Sequence, residues 1–268
     1  MGGAVPVFGC KLPIHPNLLL MIVLITGATS GIGQACAERF SREGHRLILT
    51  GRRQDRLDAL AAALPGECLC LCFDVRDLEA TQNTLGNLPP EWAEVDVLIN
   101  NAGLAVGRGP LQDGTIDDWE RMIDTNLKGL LYVSRTITPG MAARKRGHVI
   151  NISSIAGKEV YAGGNVYCAT KHGVDALSQA MRMDLLPFQI RVTNIAPGMV
   201  DTEFSLVRFK GDRQKADAVY EGLKPLTGED VAEVIFYAAT LPAHVCLNDI
   251  VVMPTCQASA TQVWRDAQ

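Results

Sequence analysis

The segment Thr26-Gly27-Ala28-Thr29-Ser30-Gly31-Ile32-Gly33 constrains this chain more than any other. It ends an apolar run, Ile22–Thr26, and leads straight into an amphipathic one, Gly33–Glu43. A strand that turns into a helix within so few residues needs glycine where a Cβ would forbid the backbone's path. Gly27 permits the tight turn, Gly31 lets backbone approach a bound group, and Gly33 lets the helix pack on the strand. The spacing departs from G-x-G-x-x-G, but the physical demand is the same. Free N–H groups and the positive end of the helix dipole then face outward, which suits a pyrophosphate. Ser30 adds a hydroxyl donor, and Thr29 and Ile32 belong to the same expected cradle. The turn predicts a dinucleotide site.

Beyond it, short apolar runs alternate with longer amphipathic ones. Strands are expected at Ile22–Thr26, Leu47–Thr50, Cys68–Phe73, Val97–Asn100, His148–Ile152, Arg191–Ile195 and Ile250–Met253. Helices are expected at Gly33–Glu43, Gln54–Leu64, Leu78–Leu88, Ile116–Arg135, Val166–Leu186 and Asp230–Ala239. Nearly all-apolar strands imply cover on both faces. Alternating β and α then predicts an α/β, Rossmann-type doubly wound parallel sheet of about seven strands with right-handed crossovers. No repeat or composition shift marks a boundary, so residues 21–268 read as one domain. Residues 1–20, interrupted by Pro6, Pro13 and Pro16, do not conform to it and read as an extension before a natural start at Met21. They lack the basic start and long apolar core of a signal peptide.

A net charge of −4 gives no electrostatic reason to expect nucleic acid. No apolar run approaches eighteen residues, so no membrane span is expected. The eight cysteines are scattered through apolar segments without zinc spacing. Cys68, Cys70 and Cys72 alternate along one strand and would share a face, where side chains two apart diverge too far for tetrahedral coordination. Free buried thiols, no metal, and a reducing, cytoplasmic compartment are the expectation.

The second strand decides between NAD and NADP. An acid about twenty residues past the glycines would bind a ribose 2′-hydroxyl and repel a 2′-phosphate. Here Leu47–Thr50 ends in Gly51-Arg52-Arg53. Basic residues oppose the dipole at a helix start, so they need another reason to be there. Pairing with a 2′-phosphate supplies one, and NADP(H) is the predicted cofactor.

Tyr167-Cys168-Ala169-Thr170-Lys171 carries the chemistry. A spacing of four puts tyrosine and lysine on one helix face. A free phenol is a poor proton carrier at neutral pH, and a neighbouring ammonium is expected to lower its pKa. Ser154, at the end of the strand His148–Ile152, could hold a substrate oxygen opposite the tyrosine. Ser153 reads as structural, Tyr161 as at most a pocket residue, and no histidine has a plausible role.

From Met21 onward the chain resembles the short-chain dehydrogenase/reductase family. The matching motifs are Thr26–Gly33, Asp74, Asn100-Asn101-Ala102-Gly103, Asn126, Ser154, Tyr167 with Lys171, and Pro197-Gly198. The resemblance implies Tyr167 as general acid/base and Lys171 as its tuner and a ribose ligand. It implies Ser154 as the carbonyl-orienting group and Asn126 as holder of a water linking Lys171 to solvent. Asp74 would contact adenine, with Val75 beside it; Asn101, Ala102 and Gly103 would floor the cofactor site. Pro197, Gly198, Val200 and Thr202 would reach the nicotinamide carboxamide side. In reduction, hydride passes from the cofactor to the carbonyl carbon as Tyr167 protonates the oxygen; oxidation reverses this. The family's usual dimers or tetramers are also implied, with the long helices around Tyr167 packing across two-fold axes.

A narrower resemblance concerns the substrate. Gly163–Tyr167, Asp201–Phe204, Val207–Asp212 and Leu241–Val245 look like the NADP-dependent 3-hydroxy acid dehydrogenases. These act on serine, allo-threonine and related acids, or reduce malonic semialdehyde. Residues 202–222 would form a substrate lid, with Arg208 the preferred carboxylate ligand and Lys210 an exposed lid charge. Two alternatives stand beside this. One is a reductase of larger carbonyls such as 3-oxoacyl thioesters, for which Arg144, Lys145 and Arg146 are the only compact basic run. The other is a non-catalytic NADPH-binding sensor. Cys256–Gln268 carries weak structural signals and could cover a neighbouring subunit.

Overall fold

The computed structural model describes residues 20–266; the expected extension, save Leu20, lies outside them. Seven parallel strands form one sheet: β1 (Ile22–Ile25), β2 (Arg46–Gly51), β3 (Cys68–Cys72), β4 (Val97–Asn100), β5 (His148–Ile152), β6 (Arg191–Pro197) and β7 (Asp249–Val252). Their order is β3-β2-β1-β4-β5-β6-β7. Chain direction across the sheet reverses at β1 and β4, so a crevice opens at their carboxyl ends, where open α/β sheets bind ligands.

Two apolar layers sandwich the sheet. One joins Val23, Ile25, Leu47, Leu49, Ile99 and Ile195 to α1 (Gly31–Arg42), α2 (Gln54–Ala63) and α9 (Gly228–Thr240). The other joins Leu24, Ile48, Leu98, Val149 and Val192 to α3 (Leu78–Leu85), α5 (Leu130–Arg144) and α6 (Asn165–Asp184). The strand residues of both layers are at most 1% exposed, as the apolar runs require. Cys68 and Cys70 pack on the first layer and Leu69 and Leu71 on the second. On this edge strand the thiols are only half-buried and Cys72 is exposed, which corrects the expectation of buried thiols. Among the described residues no further strand covers this edge.

The run Ile116–Arg135 is not one helix. It divides into α4 (Ile116–Ile123), a π turn at Asp124–Gly129 and α5. A π turn inserts one extra residue per turn and redirects a side chain, here Asn126. α5 continues through Pro139 to Lys145, whose φ of 52° ends it in the left-handed region. Two further short helices, α7 (Glu203–Arg208) and α8 (Arg213–Ala218), are capped by Thr202 and Asp212 and fall where the lid is expected.

A polar row crosses the largely apolar sheet. Asn100, Asn151, Asn194 and Asp249 stand side by side on β4 to β7. Asn100 Nδ2 donates to Asn151 Oδ1 at 2.8 Å, and Asn194 Nδ2 donates to Asp249 Oδ1 at 2.8 Å and Asp175 Oδ1 at 3.0 Å. Lys158 closes the row on Asp175 at 2.7 Å and Asp249 at 2.5 Å.

Among the described residues no helix is long and apolar enough to cross a membrane.

Candidate active site

The β1–α1 turn is built as a cradle. Gly27 and Gly31 both sit in the left-handed region, at φ of 64° and 54°. A Cβ on Gly33 would stand 2.4 Å from the Gly27 carbonyl oxygen, so the helix can approach its strand only with glycine there. Thr26 Oγ1 accepts from the backbone N–H groups of Asn101 and Ala102 at 3.0 Å, while Asn101 Nδ2 donates to the Thr26 and Gly27 carbonyls at 2.9 and 3.1 Å. The cradle is thereby locked to the β4 loop. Ser30 makes no side-chain cap to α1, and the first turn holds no acid. These unblocked N–H groups fit a bound anion.

A cleft of about 300 Å³ runs from this cradle across the sheet end, with Arg52, Asp74, Val75, Gly103, Ser154, Tyr167, Lys171, Gly198, Val200 and Thr202 among its walls. Of the residues expected to hold cofactor, all but Gly33 lie along it. Arg53 NH2 donates to Thr29 Oγ1 at 3.0 Å, joining the second strand's end to the cradle. Asp74 is gripped by Arg76 through Nε at 3.0 and 3.1 Å and NH2 at 2.7 Å. Burial opposes its charge, but these bonds prevail and hold the carboxyl below the usual range. Arg76 is a partner that the sequence reading missed. Gln257 is another: its Oε1 accepts from Met199 N at 2.8 Å and lies where a Cβ on Gly198 would fall. No local signal in the sequence joins a C-terminal glutamine to that turn.

At the reacting end, Tyr167 is 7% exposed and Lys171 5%. Lys171 Nζ donates to the Ile152 carbonyl at 2.9 Å and lies 5.9 Å from the Tyr167 ring centre. Ser153 Oγ donates to the Lys171 carbonyl at 3.0 Å, the structural part expected of it. Ser154 Oγ caps the next turn by accepting from Ala156 N at 3.1 Å. Asn126, delivered by the π turn, holds Leu104 through both backbone groups at 2.9 Å and donates to Thr170 Oγ1 at 3.0 Å. Its side-chain amide is thus committed to the protein.

The electrostatics correct one expectation. Burial pushes the Tyr167 phenol well up and Tyr161 adds to the push; the Ser154 hydroxyl and Arg208 guanidinium favour the phenolate without prevailing. Lys171 is not among the groups that offset this burial. Its own pKa falls to about 8, because the site is dry. In the cofactor-free chain Tyr167 is therefore a protonated acid.

Over this end lies α7. Phe204 stacks obliquely on Tyr167, ring centres 5.6 Å apart, and Gly107 N donates to the Arg208 carbonyl at 3.0 Å. Arg208 sits 5.6 Å from the centres of both the Tyr161 and Tyr167 rings, and its NH2 donates to Tyr161 Oη at 2.9 Å. Its Nε is buried without a partner. Lys210 is not a free charge: it pairs at 2.7 Å with Asp118, whose side chain is 8% exposed. A second chamber of about 200 Å³ behind Tyr167 is walled by Asp118, Trp119, Asn165 and Lys210. Beyond α8, Asp266 N donates to the Gly222 carbonyl at 2.8 Å. The C-terminal segment thus rests on the stretch of its own chain that follows α8. The basic run Arg144–Arg146 ends α5, with Arg144 on the Val95 carbonyl and Arg146 paired to Glu94 and Asp96.

Comparison with known proteins gives the family. A family model described as short chain dehydrogenase matches residues 21–212. The NADP-dependent 3-hydroxy acid dehydrogenase YdfG of Salmonella typhi is 51% identical over 241 residues, spanning 90% of this chain and 97% of that protein. The serine 3-dehydrogenase of Rhizobium radiobacter is 45% identical over 246 residues, spanning 91% and 98%. Among solved structures, the closed form of a serine dehydrogenase complexed with NADP+ gives a TM-score of 0.88 at 48% identity, covering 92% of this chain and 100% of that one. The Escherichia coli serine dehydrogenase gives 0.79 at 45% identity, covering 89% and 100%. A family model matched over most of the chain, and relatives about half identical along nearly their whole length, mean that the chain belongs to the short-chain dehydrogenase family of oxidoreductases.

Proposed function

We propose that this enzyme uses NADP(H) to oxidise the 3-hydroxyl of small 3-hydroxy acids such as serine, allo-threonine or 3-hydroxypropionate, or to reduce the matching semialdehyde. The observation that carries the substrate class is Arg208. A guanidinium with a buried, unpartnered Nε stands beside the proton carrier, and a carboxylate can satisfy it through two parallel bonds. The cradle at Gly27–Gly33 suits the pyrophosphate, and Arg52 with Arg53 suits the 2′-phosphate; Asp74, Val75, Asn101, Ala102 and Gly103 suit the adenine and floor.

When bound, NADP(H) supplies or accepts the hydride at the substrate carbon. Ser154 orients the substrate oxygen toward Tyr167. Tyr167 donates its proton to that oxygen in reduction and takes it back in oxidation. Lys171 contributes positive charge and ribose contacts from its buried position, and Asn126 fixes the wall behind it. Phe204 and the lid exclude water. Names of the relatives, which include serine and 3-hydroxy acid dehydrogenases, support the same reading.

Unpaired thiols throughout the described chain support a reducing, cytoplasmic setting. Exposed Ile116, Ile123 and Leu131 on the helices before Tyr167 support a homodimer or homotetramer.

The test is NADP+ reduction with L-serine, allo-threonine and 3-hydroxypropionate, run beside Tyr167→Phe, Arg208→Gln and NAD+ controls. Turnover is expected with one of these acids. Tyr167→Phe should lower kcat by about 10²–10⁴-fold, and Arg208→Gln should act mainly on KM. Activity confined to bulky ketones or thioesters would overturn the substrate class.

A further inference from the structure

We infer that Glu203, the first residue of the lid, competes with the cofactor's 2′-phosphate for Arg53, and that Arg56 sets how strongly it competes. The inference rests on the NADP reading above but concerns residues that reading leaves unused.

Glu203 begins α7, directly after the Thr202 cap, and lies on the wall of the cofactor cleft beside Arg52, Arg53, Thr29 and Ser30. The acids on that wall are Asp74 and Glu203. Asp74 is already held by Arg76. Glu203 reaches across about 150 residues of sequence to the cationic end of the second strand. Its Oε2 is 3.5 Å from Arg53 NH1, while Arg56 NH1 donates to Oε1 at 2.8 Å and to Oε2 at 3.0 Å. One carboxylate is therefore shared between a loose partner, Arg53, and a tight one, Arg56.

The geometry gives these arginines different parts. Arg53 also reaches Thr29 in the cradle, so it is the one positioned to read a phosphate. A 2′-phosphate brings roughly two negative charges where the carboxylate brings one, and so displaces it. Arg56 retains Glu203 through two short bonds and keeps the carboxylate from following Arg53. Since Thr202 packs 3.1 Å from where a Cβ on Gly31 would lie, the base of the lid and the cradle share one contact zone. Selectivity for NADP is thus set by three arginines and one lid carboxylate, not by Arg52 and Arg53 alone.

The ion pairs are half-exposed, so the expected effects are about two- to fivefold in Kd. The experiment is calorimetric titration of the full chain with NADP+ and with NAD+. Glu203→Gln should tighten NADP+ by that factor and leave NAD+ unchanged. Arg56→Gln should weaken NADP+ by a similar factor, again with NAD+ unchanged, because Glu203 then falls to Arg53 alone. The double variant distinguishes competition from a general change in charge. Its net charge equals that of the parent, yet Arg53 is free, so NADP+ should bind more tightly than to the parent. A double variant equal to the parent, or a Glu203→Gln effect shared by NAD+, overturns the competition. Equal affinity of the parent for NADP+ and NAD+ would instead overturn the cofactor reading beneath it.

Discussion

Replacing Lys171 by methionine should abolish catalysis and stabilise the fold. The lysine is 5% exposed, and its pKa is lowered from 10.5 to about 8 by burial. At 1.36 kcal/mol per pH unit, that gap makes the charged native lysine roughly 3 kcal/mol less favourable at neutral pH than in the unfolded chain. Methionine fills the same stem volume without charge. It forfeits the Nζ bond to the Ile152 carbonyl, at about 1 kcal/mol. The net gain is about 2 kcal/mol, or roughly 4–8 °C in Tm for a domain this size. Between about pH 8 and 10.5 the unfolded chain carries a proton that native Lys171 has shed. More protons on the unfolded state mean that parent stability rises with pH across this window. The variant's advantage should therefore be full at pH 7 and nearly gone by pH 10. Parallel urea titrations of parent and variant at both pH values measure it, and other titrating groups cancel in the difference. A variant no more stable than the parent at pH 7, or an advantage indifferent to pH, would refute the claim that this lysine is held at a cost to the fold.

Because burial keeps the Tyr167 proton on, kcat/KM for hydroxy acid oxidation should climb through neutral into alkaline pH, while reduction should not; an oxidation plateau reached by pH 7 would contradict this. Lys210→Ala removes the cation from buried Asp118. It should cost about 1–2 kcal/mol and speed amide exchange across residues 205–222, with Asp118→Asn in the same chain restoring protection. Gly33→Ala drives a Cβ into the Gly27 carbonyl and should weaken NADP+ binding by roughly tenfold or more; unchanged affinity would show that the cradle does not need this contact.

Much of this was legible in the chain itself because the signals are local. β4 and β5 coincide with their apolar runs, and the other strands differ only at their ends. Tyr167 and Lys171 share a face because α6 is regular through both. What was not legible depends on contacts distant in sequence. The π turn leaves the apolar pattern of Ile116–Arg135 intact, since one inserted residue shifts a stripe without erasing it. The helix expected to end at Arg135 runs on through Pro139 to Arg144, carried by packing of Val133, Ile137 and Met141. The lid helices are six residues each, too short for a periodic signal, although their caps Thr202 and Asp212 were visible clues. Arg76, Gln257 and Glu203 enter the site only through the fold. The effect of Lys171 on Tyr167 was misread because spacing predicts proximity, whereas burial of both groups governs their charge.

The row from Asn100 to Asp249 acts as a key that permits one alignment of the sheet. Its strands are so uniformly aliphatic that sliding one past another by two residues would keep every side chain on its face. Such a slide would set Asn100 against Val149 or Ser153 and strand Asn151, with each dry amide costing about 1–3 kcal/mol. Asn101 follows the row by one residue, and Ser154 and Pro197 each follow it by three. A two-residue slip would carry Ser154 about 7 Å along the sheet, where misplacement by even 1 Å can cost about 10²-fold in rate. Alignment of the reacting groups is therefore decided in the interior of the sheet, before any loop closes.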